Sequence, residues 1–286
     1  MAGYGERVPR AVTRTWYRIA LGHTGGARPT IVAAAGEHMG VAVAAAERHA
    51  PGSFAIAVEL APDSDIPLGE SLGKSSIVEI GAASDVPVFH WPAGALPQLS
   101  RAAAASGVAR GWIRRPHDSL LVIEAQTDAD HLTDLFMGMI ERLPRADNLE
   151  VRMQDHFEDA GRADVWLTSR VDARRILRFL DDHDVELFGN GHLELSIYVR
   201  AHNATLRLTE HKTVVWLASD RGLEADVQRW LGELATPPAG ALVTVKDAPH
   251  FHYRPANSRD RKKLGDELYR HRLRRVDTLP VRAANE

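Results

Sequence analysis

Residues 192–219 read HLELSIYVRAHNATLRLTEHKTVVWLAS. Leu193, Leu195, Ile197 and Val199 alternate with His192, Glu194, Ser196, Tyr198 and Arg200. A strand with that pattern has one apolar face and one wet face. A turn near His202-Asn203 leads into ATLRLTE, which alternates in the same way, and Thr213 opens a third apolar strand, TVVWLAS. Alternation of this kind belongs to antiparallel sheets with one face in the core. Just upstream, Asn190-Gly191 is a tight-hairpin dipeptide, which predicts that Val185–Phe188 pairs with 192–200.

Outward from the meander, four segments share one grammar: apolar strand, small or polar turn, helix, second strand. They begin at Thr30 (TIVAAA), Leu120 (LLVIEAQ), Asp164 (DVWLTS) and Thr213. Their helices are expected near 37–49, 128–143, 172–182 and 222–235. The returns are SFAIAVEL (53–60), NLEVRM (148–153), a strand after Val185, and ALVTVK (241–246). Leu132, Leu135, Phe136, Met139, Ile140 and Leu143 form one apolar stripe of helical period, and Leu223, Val227, Trp230, Leu231 and Leu234 form another. Val165-Trp166-Leu167 matches Val215-Trp216-Leu217, which reads as a duplicated βαβ-type unit. Between 61 and 118, strands are expected at SIVEIGA (76–82), VPVFHW (86–91) and VARGWIR (108–114), with an Ala-rich helix at 96–106.

The expected fold is therefore α+β: two domains of repeated βαβ-type units, mainly antiparallel sheets with helices on one face. A ferredoxin-like arrangement is the natural way to pair such units. The domains fall at 10–115 and 116–256, followed by a basic helix and tail at 257–286. From 257 to 276 there are eight basic side chains (Arg259, Arg261, Lys262, Lys263, Arg270, Arg272, Arg274, Arg275) against three acids.

The chain has 286 residues, with 35 Lys+Arg against 38 Asp+Glu. That balance excludes a polyanion binder acting through its whole surface. Having no cysteine, it excludes thiol catalysis, disulfide scaffolds and Cys-ligated metals. No apolar run approaches the ~20 residues of a bilayer span, and the first residues show no secretory pattern. The expectation is a soluble cytoplasmic protein with no membrane partner.

His250 and His252 form an H-x-H on an apparent strand, so both imidazoles share a face. A divalent metal is the one cofactor these residues allow, with His192 and Glu194 as further ligands and Asp247 and Glu210 as other nearby carboxylates. The plain alternative is a wet strand face with two solvated histidines. Leu68–Ser75 (LGESLGKS) resembles a phosphate-binding P-loop, but its first glycine is misplaced and a strand follows where a helix is required. Gly22–Gly26 reads as a loop between two strands. Glu37-His38 reads as an ordinary helix start, and Asp155, His156, Glu158 and Asp159 as an acidic loop.

No catalytic constellation stands out. The leading expectation is a non-catalytic protein that binds another protein, or itself, through a sheet face or the basic C-terminal helix. The alternative is a metal-assisted hydrolase using His250, His252 and nearby carboxylates. The third is a nucleic-acid binder using the tail together with Tyr198, Arg200 and Arg207 on one wet face.

Overall fold

Every ladder between the strands of the protein is antiparallel. The computed structural model describes residues 14–66, 77–83, 86–105, 107–154 and 162–280. The fold class is α+β, as the alternation requires. Among the described residues no helix is long and apolar enough to cross a membrane.

The N-terminal layer consists of β1 (Thr15–His23), β2 (Thr30–Gly36), α1 (Met39–His49), β3 (Ser53–Leu60) and β4 (Ile77–Ala82), in the sheet order β3-β1-β2-β4. β2 and β3 lie on either side of β1 and α1 crosses between them, so this is a split βαβ unit. Alternation along β1 serves two faces. Ile19 and Leu21 pack under α1, while Ala20 faces a 3-10 segment at Leu99–Ala105. Gly22 and His23, expected in a loop, still belong to β1; the turn to β2 starts at Thr24 and includes Gly25 and Gly26.

β5 (Ala95–Pro97) precedes that 3-10 segment, where the sequence predicts a helix from 96. Residues 86–91 form no strand; Trp91 is buried there with its ring edge-on to Phe89.

The larger layer runs through β6 (Gly111–Arg115), β7 (Leu121–Gln126), α2 (Leu132–Arg142), β8 (Asn148–Gln154), β9 (Arg162–Thr168), α3 (Ala173–Asp182), α4 (Asp184–Gly189), β10 (Leu193–Val199), β11 (Ala204–Leu208), β12 (Val214–Ala218) and α5 (Glu224–Glu233). After a short strand β13 (His250–His252), the chain returns through α6 (Arg261–Arg270) and β14 (Leu273–Pro280). The eight strands lie in the order β14-β9-β8-β10-β11-β12-β7-β6. Leu135, Phe136, Met139 and Ile140 of α2, Ile176 and Leu180 of α3, Phe188 of α4, Trp230 of α5 and Leu264 and Leu268 of α6 share one core with the inward residues of the sheet. The helices therefore cover a single face. Each such large apolar side chain contributes roughly 1.5–3 kcal/mol on full burial.

Several expectations are corrected here. Val185–Phe188 is helical: Leu187 and Phe188 bury in the core shared with α2, and both edges of the strand at 193–199 are already paired with other strands. Asn190-Gly191 consequently joins a helix to β10 and is no hairpin. The helix expected from 128 begins at Leu132, since Asp128 is held by His131 and Arg110. Residues 241–244 form no strand; a 3-10 turn at Val245–Asp247 follows, capped by Thr244 and Asp247.

β6, placed by sequence in the first domain, is the edge of the large sheet. β13 pairs with β5 and so returns to the N-terminal layer. The basic helix α6 exists as expected, with Asp260 capping it by accepting from the Lys263 amide at 2.8 Å. The chain then continues into β14, which the sequence analysis does not anticipate. The P-loop-like stretch 68–75 and the acidic loop 155–159 lie outside the described residues.

Candidate metal centre

The rings of His211, His250 and His252 form a near-equilateral triangle. Their centroids are 4.8 Å apart for 211–250, 5.0 Å for 211–252 and 5.0 Å for 250–252. One nitrogen from each lies within 4.8 Å of the others. β13 supplies two of the rings, because an H-x-H on a strand puts both on one face. The third comes from the tight turn between β11 and β12, closed by Lys212 N–H donating to the Thr209 carbonyl at 2.9 Å.

The Nε2 atoms of His250 and His252 are 3.2 Å apart. Two nitrogens on a tetrahedral ion with 2.0–2.1 Å bonds sit roughly 3.3 Å apart, so this pair is already at ligand spacing. His250 Nδ1 lies 2.7 Å from the Ala248 carbonyl oxygen. That nitrogen carries the proton, which leaves the Nε2 lone pair aimed at His252, as outer hydrogen bonds do for metal-bound histidines. Burial pushes His252 down to about 2, helped by His211, His250 and His192 and opposed by a backbone hydrogen bond at Gly191. A neutral imidazole is the form that ligates metal.

Two glycines let the layers meet at this point. A Cβ on Gly191 would stand 1.8 Å from the Gly94 carbonyl oxygen, and Gly94 has φ +104°. Gly191 N–H donates to Tyr253 O at 2.9 Å and Tyr253 N–H to Gly94 O at 2.8 Å, so three backbones cross without side chains between them. Lys212, fully enclosed, donates from Nζ to the Asn190 carbonyl at 2.6 Å and ties the same loop to the histidine turn.

The structure brings two of the four expected residues together. His250 and His252 converge. His192 stands beside them, its ring centroid 6.2 Å from that of His252, outside the triad. Glu194 approaches Arg152 and, with Glu210, places its negative charge toward Lys212. Asp247 is used in the cap with Thr244. His211 is the third member of the triad, which sequence reasoning misses. Its signal, Glu210-His211-Lys212 between two strands, says nothing of β13.

A second group, His183, Glu267 and His271, also falls within 4.8 Å. His183 and His271 present Nε2 atoms 3.2 Å apart. There the carboxylate is already occupied: Arg270 lies at 2.8 Å and Arg259 at 4.0 Å.

The remaining candidates separate. Tyr198 and Arg207 share the face that the helices leave uncovered. Tyr198 O–H donates to Glu150 at 2.5 Å, and burial together with that carboxylate pushes the phenol up to about 12. Arg200 lies in the turn after β10, where its guanidinium donates to Asn148. The basic tail spends its charge internally. Arg259 pairs with Glu186, Arg261 and Arg275 with Asp164, Lys263 with Asp260, and Arg274 lies over the Tyr269 ring. Among the described residues Lys262 and Arg272 form no ion pair.

No protein-family model matches this chain, and comparison with curated proteins and with solved structures finds no match to it.

Proposed function

We propose that this protein is a metal-assisted hydrolase, holding a zinc-class divalent ion on His211, His250 and His252. The supporting observation is the convergence of three imidazoles from two separate turns of chain, with one pair at tetrahedral ligand spacing. Three protein ligands leave one position for water, and a bound ion lowers the pKa of that water toward neutrality. His192 and His252 also line a cleft of about 390 Å³ between the layers, which gives a substrate a place beside the ion.

Metal analysis of untagged protein, followed by zinc titration of the stripped chain, tests this reading. One tightly held equivalent is expected, lost in His250→Ala and in His211→Ala. Two equivalents with one surviving in both variants would place the second at His183, Glu267 and His271. A chain that binds no zinc, nickel or manganese at micromolar concentration ends the reading.

A second reading, binding through the sheet face, rests on α2 to α6 all packing on the opposite side. Val122, Val215 and Leu217 remain half-buried on the open face. If copies associate there, Leu217→Asp will reduce the mass measured by light scattering.

A further inference from the structure

The cleft beside the triad has an unusual charge inventory. Among the described residues its lining includes Arg254, Arg259, Arg261, His38, His192 and His252, and no aspartate or glutamate. Arg259 and Arg261 are neutralised from behind by Glu186 and Asp164. Arg254 is different. It is half-buried, and among the described residues it makes no hydrogen bond or ion pair.

Asp260, itself paired with Lys263, feels Arg254 only through space. A half-buried guanidinium that gives up water without a direct partner is costly. Its place is also enforced. Gly40 of α1 presses on the Arg254 backbone so closely that a Cβ there would stand 1.8 Å from the Arg254 carbonyl oxygen. The first turn of α1 and the segment after β13 therefore hold Arg254 where it is. Opposite, burial and Arg254 hold His38 below its ordinary value, with Glu37 opposing, so His38 enters the cleft as a neutral imidazole that donates or accepts. Met39, Met153, Phe251 and Leu264 give the wall an apolar part, beside the polar Gln154 and Asn190.

We infer that this cleft binds a small organic oxyanion, a phosphate monoester or a carboxylate, with Arg254 as the group that receives its charge. Arg suits that task because its planar fork meets two oxygens at once. The apolar wall takes the organic part, and the volume of about 390 Å³ fits a small metabolite-sized molecule. The inference rests on the metal-site reading for the chemistry performed on the ligand; binding of the anion stands independently of it.

The test is calorimetric titration of inorganic phosphate and of citrate into the full chain, zinc-free and zinc-loaded, for wild type, Arg254→Gln and His250→Ala. Metal content and thermal midpoint are measured on each sample. Wild type binds at least one of the two anions, and Arg254→Gln binds it at least tenfold more weakly. Arg254→Gln keeps the thermal midpoint near that of wild type, since no direct partner is orphaned, and the anion raises the midpoint of wild type and of His250→Ala but not of Arg254→Gln. Equal anion affinity in wild type and Arg254→Gln overturns the proposal, as does the absence of binding of either anion at millimolar concentration. Anion binding that depends on Arg254 in a chain that takes up no metal supports this inference and ends the hydrolase reading.

Discussion

Lys212 Nζ donates to the Asn190 carbonyl oxygen at 2.6 Å from a position closed to solvent. Burial pushes this ammonium down to about 7, opposed by Glu210 and Glu194. The bond joins the β11–β12 turn, which carries His211, to the loop that carries His192. Lys212→Met keeps the aliphatic volume and removes the stronger donor, so the Asn190 carbonyl is left with the Leu193 amide at 3.2 Å. The expected loss is roughly 1–3 kcal/mol. It is read as a lower urea midpoint at unchanged slope. An unchanged midpoint would show that the bond adds nothing to stability.

Gly191→Ala inserts a methyl where the Gly94 carbonyl stands 1.8 Å away. Main chain must move to admit it, with a cost of about 1–3 kcal/mol or more. The expected result is a lower thermal midpoint by circular dichroism together with weaker zinc binding, because β13 shifts with Tyr253. A variant matching wild type in both would mean that the two loops do not approach as described.

Asp147 sets an acid limit to stability. It is 1% exposed and carries several partners: it accepts from the Arg200 amide at 3.0 Å and pairs with Arg170 at 2.8 Å and Arg145 at 3.4 Å. Burial alone would raise its pKa, but these donors together hold it below the ordinary aspartate value. A carboxyl depressed in the folded state stabilises above its unfolded pKa of about 3.9, and that contribution is lost as pH falls through the folded value. Asp147→Asn is therefore expected to be less stable than wild type at pH 7. The difference closes as urea unfolding is repeated below about pH 4. A gap that stays constant down to pH 2 would contradict the assignment.

Truncation before Asn257 removes more than a charged tail. Leu264, Leu268 and Leu273 leave the core, each contributing roughly 1.5–3 kcal/mol, and β9 becomes a bare edge. A marked fall in thermal midpoint and concentration-dependent scattering are expected. A truncated chain that melts with wild type would show the segment to be a separable appendage.

The strands of the meander, α2 and α5 were legible because their signal is local. Alternation at Leu193–Val199 and the stripe at Leu132–Ile140 state which face is buried without reference to any partner. The H-x-H was legible for the same reason. Its third imidazole was not: His211 and His250 are separated by α5 and by the run beside β6, and only sheet order brings their turns together. Tertiary packing also overrode a local preference at Val185–Gly191. The Asn-Gly dipeptide favours a hairpin in isolation, but Lys212 takes the Asn190 carbonyl and Gly94 takes the space beside Gly191.

The sequence by itself determined the α+β class, the inward faces of the main strands and the pairing of His250 with His252 on one side of a strand, since periodicities of 2 and 3.6 are properties of consecutive residues. Tertiary structure alone decided that β14 closes the large sheet, that β13 returns to the N-terminal layer, and that Arg254 faces a cleft with no direct ion pair among the described residues. Those are matters of which distant segments become neighbours, and neighbours are chosen by burial and backbone pairing across the whole chain.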